Sequence, residues 1–255
     1  MDPSVKRKII KYQGAFPDEI EDSLAVEKKL VISVQGKELV SLYCTPMMVK
    51  ELVTGLLLTE EIITNKISPE EMKIVYGNEI TVNLSSNRDI APEKLTTFRC
   101  LGGFTVLKKR SFEKIHNDFY LTIEALKNLF GDFQQKTELF KMTGCFHSAA
   151  ISDGKKILSF SEDIGRHNAV DKVIGDVLIR EISFTRKVMM VSCRISSEII
   201  SKCSRWGIPI LVSRSAPTDL AIEIAELSGI TLVGFIRGDS LNIYTNPQRI
   251  IPNSS

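Results

Sequence analysis

Four short segments bring an arginine together with hydroxyl, amide or glycine residues. They are Ser161-Glu162-Asp163-Ile164-Gly165-Arg166-His167-Asn168, Ser192-Cys193-Arg194-Ile195-Ser196-Ser197-Glu198, Ser213-Arg214-Ser215-Ala216-Pro217-Thr218-Asp219 and Phe235-Ile236-Arg237-Gly238-Asp239-Ser240. Guanidinium groups pair bidentately with phosphate or carboxylate oxygens. Hydroxyls and the free N–H groups of helix starts complete such a cradle. Taken singly, Ser196 and Ser215 also read as helix caps, and Arg194 and Arg214 as surface residues. Four together predict a phosphate-bearing or otherwise anionic ligand, provided the fold sets them along one edge.

Titratable groups lie beside these segments. His167 is expected in the first turn of a helix, where the positive dipole end favours the neutral imidazole; its alternative role is to order the turn by hydrogen bonding. His147 lies two residues after Cys145, so in a strand both project to one face. They read either as a thiol–imidazole nucleophile or, with no third orienting group nearby, as a buried structural pair. His116 sits in a polar run and reads as solvated. Of the five cysteines, at 44, 100, 145, 193 and 203, Cys100 is the one placed for reactivity. Arg99 precedes it, Leu101-Gly102-Gly103 follow, and Lys108-Lys109-Arg110 lie downstream. Neighbouring positive charge lowers a thiol pKa, and glycines permit close approach. Such a thiol on a mobile arm can meet two partners in turn. Cys44, Cys193 and Cys203 read as small core residues.

The elements that would carry these groups show in the hydrophobic pattern. From residue 142 strands alternate with helices: strands are expected near 145–151, 155–160, 187–193, 208–213, 230–236 and 241–244, helices near 164–181, 196–206 and 217–228. Val188 to Ser192 and Ile208 to Val212 are nearly continuous apolar runs, as strands covered on both faces would be. This predicts an α/β layer sandwich with a largely parallel sheet, whose strand-to-helix turns share one edge. Upstream, 30–34 and 38–42 read as a hairpin. Thr45 and Pro46 read as the cap and first residue of a helix over 47–63 with apolar positions at 48, 52, 56 and 57. Two strands near 72–76 and 79–84 flank Gly77-Asn78. The polar stretch after Leu84 through Gly103 reads as an exposed, mobile connector. Asp118 is the expected cap of a helix over 119–130 that Gly131 ends.

Composition narrows the classes. The chain has 255 residues, 33 Lys+Arg against 31 Asp+Glu, 43% hydrophobic and 25% charged residues, which excludes disordered and fibrous proteins. A net charge of +2 argues against a broad nucleic-acid footprint. No stretch reaches about 18 apolar residues, so no membrane span is expected. The basic start lacks a following apolar core, so no signal peptide is expected. An odd set of irregularly spaced cysteines fits free thiols and a cytoplasmic location. G-x-G-x-x-G, the P-loop pattern, C-x-x-C and the zinc deaminase pattern are all missing, so no metal site is expected.

At these residues the sequence resembles the formate dehydrogenase accessory protein family, FdhD/NarQ. The resemblance is carried by Thr143-Gly144-Cys145-Phe146-His147-Ser148-Ala149-Ala150, by the run from Glu162 to Lys172, by Ser192 to Glu198, by Ser215-Ala216-Pro217-Thr218 and by Gly234 to Gly238. It implies a cytidine-deaminase-like three-layer α/β domain without zinc (residues 118–255), behind a smaller N-terminal α+β domain (1–95). A connector (96–117) carries Cys100 between them. It implies a carrier-type sulfurtransferase that takes persulfide sulfur from a cysteine desulfurase. The sulfur passes to the molybdenum bis(molybdopterin guanine dinucleotide) cofactor of formate dehydrogenase, with Cys100 as the carrier. On this resemblance part of the cofactor site is Phe235, Ile236, Arg237, Gly238, Asp239 and Ser240, which Arg166, His167, Arg194, Ser196, Arg214 and Ser215 would extend as anion-binding residues. A homodimer is implied too. Two departures stand out: Gly103 replaces the second cysteine of the family's C-x-x-C loop, and Cys145 replaces a glycine. The first of these also suits an alternative, a cofactor-binding chaperone that moves no sulfur.

Overall fold

A computed structural model describes residues 1–65, 67–85, 98–99 and 113–253. The chain opens with a ribbon that the sequence reading did not anticipate, β1 (Ser4–Gln13) antiparallel to β2 (Phe16–Ala25). Val5, Ile10, Tyr12, Phe16 and Leu24 stay exposed on it. With neither face packed into a core, the ribbon lacks the one-sided alternation that betrays a strand.

β3 (Lys28–Val34) and β4 (Lys37–Cys44) form the expected hairpin. After α1 (Val49–Thr59), β5 (Met72–Tyr76), β6 (Ile80–Leu84) and β7 (Phe98–Arg99) complete a five-stranded sheet in the order β5-β6-β3-β4-β7. Leu30, Ile32, Ile80 and Val82 of the strands pack with Leu52, Val53 and Leu57 of α1 in one core. The helix starts later than expected. Met48, in a left-handed conformation with φ 50°, occupies the cap position. Thr45 does not cap it, because its backbone and hydroxyl are bonded to the second half of the chain, as described below. The buried aliphatic positions of α1 are accordingly 49, 52, 53, 57 and 58.

The second unit begins at β8 (Leu121–Thr122) and α2 (Ile123–Gln135). Here too the cap differs: Thr122 Oγ1 accepts from Ala125 N at 3.1 Å, Gly131 lies inside the helix, and Asp118 instead pairs with Arg186 at 2.7 Å. A short α3 (Glu138–Thr143) follows. Then come β9 (His147–Ser152), β10 (Ile157–Asp163), α4 (Arg166–Ile179), β11 (Val188–Val191), α5 (Ser197–Arg205), β12 (Ile210–Ser213), α6 (Asp219–Ser228), β13 (Thr231–Arg237), β14 (Ser240–Thr245) and β15 (Ile250–Ile251). The six-stranded sheet runs β10-β9-β11-β12-β13-β14.

This sheet is less parallel than expected. Only β11–β12 and β12–β13, joined by helices, are parallel; β9–β10, β9–β11 and β13–β14 are antiparallel. The tight turns at Gly154 and Gly238 (φ +92° and +51°) reverse the chain directly, and a short hairpin can only be antiparallel. Three layers result. Met189 and Val191 face α4, α5 and α6, while Val188 and Met190 face Leu126, Leu129, Phe130 and Phe133 of α2. The two-residue period of a strand buried on both faces accounts for the continuous apolar run.

The units meet through α1 and α4. A Cβ on Gly55 would lie 1.9 Å from the Asp171 carbonyl oxygen, and one on Gly175 would lie 1.8 Å from that of Glu51. The two backbones therefore touch, which only glycine permits at both positions. Of the expected connector, only β7 and residues 113–117 are described; Cys100 and Gly103 lie outside the described residues. β7 runs parallel to β4, with Phe98 beside Val40 and Arg99 beside Ser41.

Candidate anion-binding edge

The run from Glu162 to Lys172 divides into residues that build and residues that face outward. Glu162 takes the backbone N–H groups of Leu139 and Phe140, each at 2.9 Å, and so caps α3. Asp163, wholly buried, accepts from Thr45 N (3.0 Å), Gly165 N (2.8 Å) and Asn168 Nδ2 (2.9 Å), and pairs with Lys172 Nζ at 2.6 Å. Lys172 also donates to the Thr45 carbonyl at 3.2 Å, and Ile164 N donates to Thr45 Oγ1 at 3.2 Å. Asn168 donates to the Tyr43 carbonyl at 2.9 Å. Further along, Lys202 bridges Asp171 (2.7 and 2.9 Å) and Glu60 (2.9 Å). The last turn of β4 and both ends of α1 are thereby fastened to α4 and α5. Gly165 keeps this turn tight, because a Cβ there would meet Asn168 Nδ2 at 2.7 Å.

The four arginine-bearing turns do share an edge, and bonds stitch each to the next. His167 Nε2 meets Glu198 Oε2 at 3.1 Å, joining the first turn to the second, and Ser148 N on β9, between them, donates to Ser192 Oγ at 2.9 Å. Ser213 Oγ donates to the Cys193 carbonyl (2.6 Å), Ile195 N to Ala216 O (3.0 Å) and Thr218 N to Ile195 O (2.9 Å), joining second to third. Phe235 N donates to Ser215 O (3.2 Å) and Arg237 Nε to Arg214 O (3.1 Å), joining third to fourth. None of Arg166, Arg194, Arg214 or Arg237 forms a salt bridge among the described residues. Four guanidinium groups on one edge, none of them salt-bridged among the described residues, can hold an anion.

Individual residues depart from their expected parts. Ser196 occupies the cap position of α5, yet its hydroxyl donates to Glu198 at 2.9 Å rather than capping the helix. Ile236 is 2% exposed and packs in the α2 layer, so only its backbone faces the edge. A register shift between Gly234 and Arg237 turns Phe235 outward with φ 51°, and the Arg237 guanidinium lies 5.6 Å from its ring centre. Bulges of this kind re-aim side chains near functional sites. Asp239 pairs with Lys127 at 3.2 Å, and Ser240 Oγ donates to Arg237 O at 3.1 Å.

His167 is held neutral, at about 4, by burial first and then by Lys202 and Arg166, against the pull of Glu198. Its Nε2–H donates to Glu198, which leaves Nδ1 as an acceptor. His147 is lowered by burial and then by Arg166. Cys145 is exposed and precedes β9, so it is not a buried partner of His147 within one strand. Sequence reasoning gave His147 no place at this edge; its position at the first residue of a strand beside the second turn was the available signal. Cys44 and Cys193 are buried, and burial pushes their thiols up to about 12 and about 11, as core cysteines. Because the folded chain holds His167 neutral while the unfolded chain protonates it near 6.5, its contribution to stability is lost as the pH falls from 6.5 toward 4. An NMR titration is expected to find His167 still neutral at about pH 5.5; a midpoint at its ordinary value would contradict this.

Comparison with known proteins bears on what the edge holds. The FdhD/NarQ family profile matches residues 25–251. A relative from Staphylococcus haemolyticus, named Sulfur carrier protein FdhD, is 37% identical over 96% of each chain. One of the same name from Sulfolobus acidocaldarius is 38% identical over 96% of this chain and 98% of its own. A crystal structure described as a formate dehydrogenase accessory protein from Desulfotalea psychrophila has a TM-score of 0.78 and 25% identity, covering 98% of this chain and all of its own.

Proposed function

Because the chain belongs to the FdhD/NarQ family, we propose that it is a sulfur carrier serving formate dehydrogenase, with Cys100 as the loaded residue. In loading, the Cys100 thiolate attacks the terminal sulfur of a persulfide on a cysteine desulfurase. The donor's S–S bond breaks, its thiolate leaves, and Cys100–S–SH forms. The sulfur's destination is the molybdenum bis(molybdopterin guanine dinucleotide) cofactor, which is cargo here. Its pyrophosphates suit the edge formed by Arg166, Arg194, Arg214 and Arg237, with Ser196, Ser215 and the segment from Phe235 to Ser240 beside them. A zinc-free cytidine-deaminase-like larger unit, a homodimer and a cytoplasmic location belong to the same reading.

The observation that carries the proposal is the row of four arginines, without a salt bridge among the described residues, on bonded, adjacent turns. A second one supports the pairing of arm and edge. Cys100 follows β7, which runs parallel to β4, and the residue after next to Ser41 on β4 is Tyr43, bonded to Asn168 in the first turn of α4. The test is mass spectrometry of wild type and Cys100→Ser after incubation with a desulfurase and cysteine. Wild type is expected to gain about 32 mass units, one sulfur, and Cys100→Ser none. Equal gain by both would remove Cys100 from the role. Full rescue of formate dehydrogenase by Cys100→Ala would instead favour a chaperone that moves no sulfur.

A further inference from the structure

Arg166 is an uncompensated cation. Its Nε is buried without a hydrogen-bond partner, and the side chain forms no salt bridge among the described residues. Burying a guanidinium N–H unpaired is costly, so it calls for an explanation. Its surroundings supply one. Arg166 is the first residue of α4, whose cap position is Gly165 and offers no side-chain acceptor; α5, beside it, is likewise left without a side-chain cap. By contrast Thr122 and Thr218 cap α2 and α6, and Glu162 serves α3. The open starts of α4 and α5 converge, since His167 and Glu198 in their first turns are bonded at 3.1 Å. Of the two carboxylates here, Glu198 is already taken up by His167 and Ser196, and Asp163 by Lys172, Gly165 N and Asn168 Nδ2. The two histidines, held neutral, add no competing charge.

We propose that Arg166, between the open first turns of α4 and α5 and walled by His147, His167 and Cys193, is the seat of a phosphoryl group. The seat rests on the reading of the edge as a nucleotide-cofactor site and deepens it. It is separate from the segment Phe235–Ser240, which stands at β13, four strands along the sheet from β10, the strand that leads to Arg166, roughly 19 Å at ordinary strand spacing. The phosphoryl oxygens accept from Arg166 Nε and from the free backbone N–H groups of the helix starts. His167 Nδ1, an acceptor, is suited to a ligand N–H or O–H rather than to the anion itself.

Titration calorimetry of the full chain with GDP and with inorganic pyrophosphate tests this. Wild type is expected to bind both. Arg166→Gln should weaken both at least tenfold, and Arg166→Lys, which keeps the charge without the Nε–H, should recover only part. Should Arg166→Gln fail to fold, Arg166→Lys carries the comparison alone, with a several-fold loss expected. Undiminished binding by a folded variant, or no binding of either probe by wild type, overturns the seat. Persulfide loading of Cys100 is an independent readout: its failure with pyrophosphate binding intact would remove the sulfur-carrier reading and leave the seat standing.

Discussion

Lys172→Met is expected to lower the free energy of unfolding by about 3–5 kcal/mol, the range for breaking one side of a buried ion pair. For a chain of this length that is a fall in Tm of roughly 10 °C. The size follows from what the substitution leaves behind. Lys172 and Asp163 are both wholly buried, 2.6 Å apart, and neither can reach water. Without the ammonium, the Asp163 carboxylate keeps its bonds to Thr45 N, Gly165 N and Asn168 Nδ2 but loses the one cation it pairs with among the described residues. The Thr45 carbonyl loses one donor as well and keeps Met47 N. Because Thr45 ends the N-terminal sheet, the damage falls on the join between the units. A urea melt that placed Lys172→Met within about 1 kcal/mol of wild type would show the pair to be ornamental. Removing both charges in Asp163→Asn, Lys172→Met should recover only part of the loss, because the amide cannot accept all of Asp163's bonds.

That pair also marks where reading the sequence stopped. The run from Glu162 to Lys172 stood out by its arginine beside amide and glycine residues and by the family resemblance it carries, but not by how its work is shared. Glu162, Asp163, Asp171 and Lys172 serve α3, Thr45 and Lys202, and Arg166 is left without a salt bridge among the described residues, its Nε buried. The missing information was long-range: Thr45 is 127 positions from Lys172, and Glu60 lies far from the Lys202 it meets. Thr45-Pro46 carried the local signature of a helix cap, and tertiary bonds claimed the threonine instead. Short-range signals fared better. The apolar runs that became β11 and β12, the Gly77-Asn78 turn and the order of α4, α5 and α6 along the edge were all legible, since each depends on neighbours a few residues away. The share of parallel pairing was not, because it depends on which turns are tight enough to reverse the chain. The Arg166 seat was legible in residue type only. That its guanidinium is unpaired, and that its two helices are uncapped, are facts about partners, which no spacing reports.

The crossing of α1 and α4 carries the second large effect. Gly175→Ala should destabilise by about 3 kcal/mol, at the upper end for overpacking a dense interior. The added methyl would sit 1.8 Å from the Glu51 carbonyl oxygen and 2.9 Å from Gly55 N, both backbone atoms that cannot swing aside as a side chain can. The helices must part, and the gain in helix propensity from alanine, about 1 kcal/mol, cannot offset that. Parting them also draws Thr45 from Asp163 and Glu60 from Lys202, which lie near opposite ends of the same crossing. Gly55→Ala should act alike, and the double variant should cost less than the two single losses added, since helices already parted have room for a second methyl. Denaturant melts of the three variants decide it: unchanged midpoints would mean the backbones do not touch, and strict additivity would mean they yield independently. The stake reaches the functional edge. α1 is what fixes β4, and with it the strand β7 that leads to Cys100, against the first turn of α4. Spreading the crossing should therefore weaken pyrophosphate binding at Arg166 even though neither glycine approaches the anion.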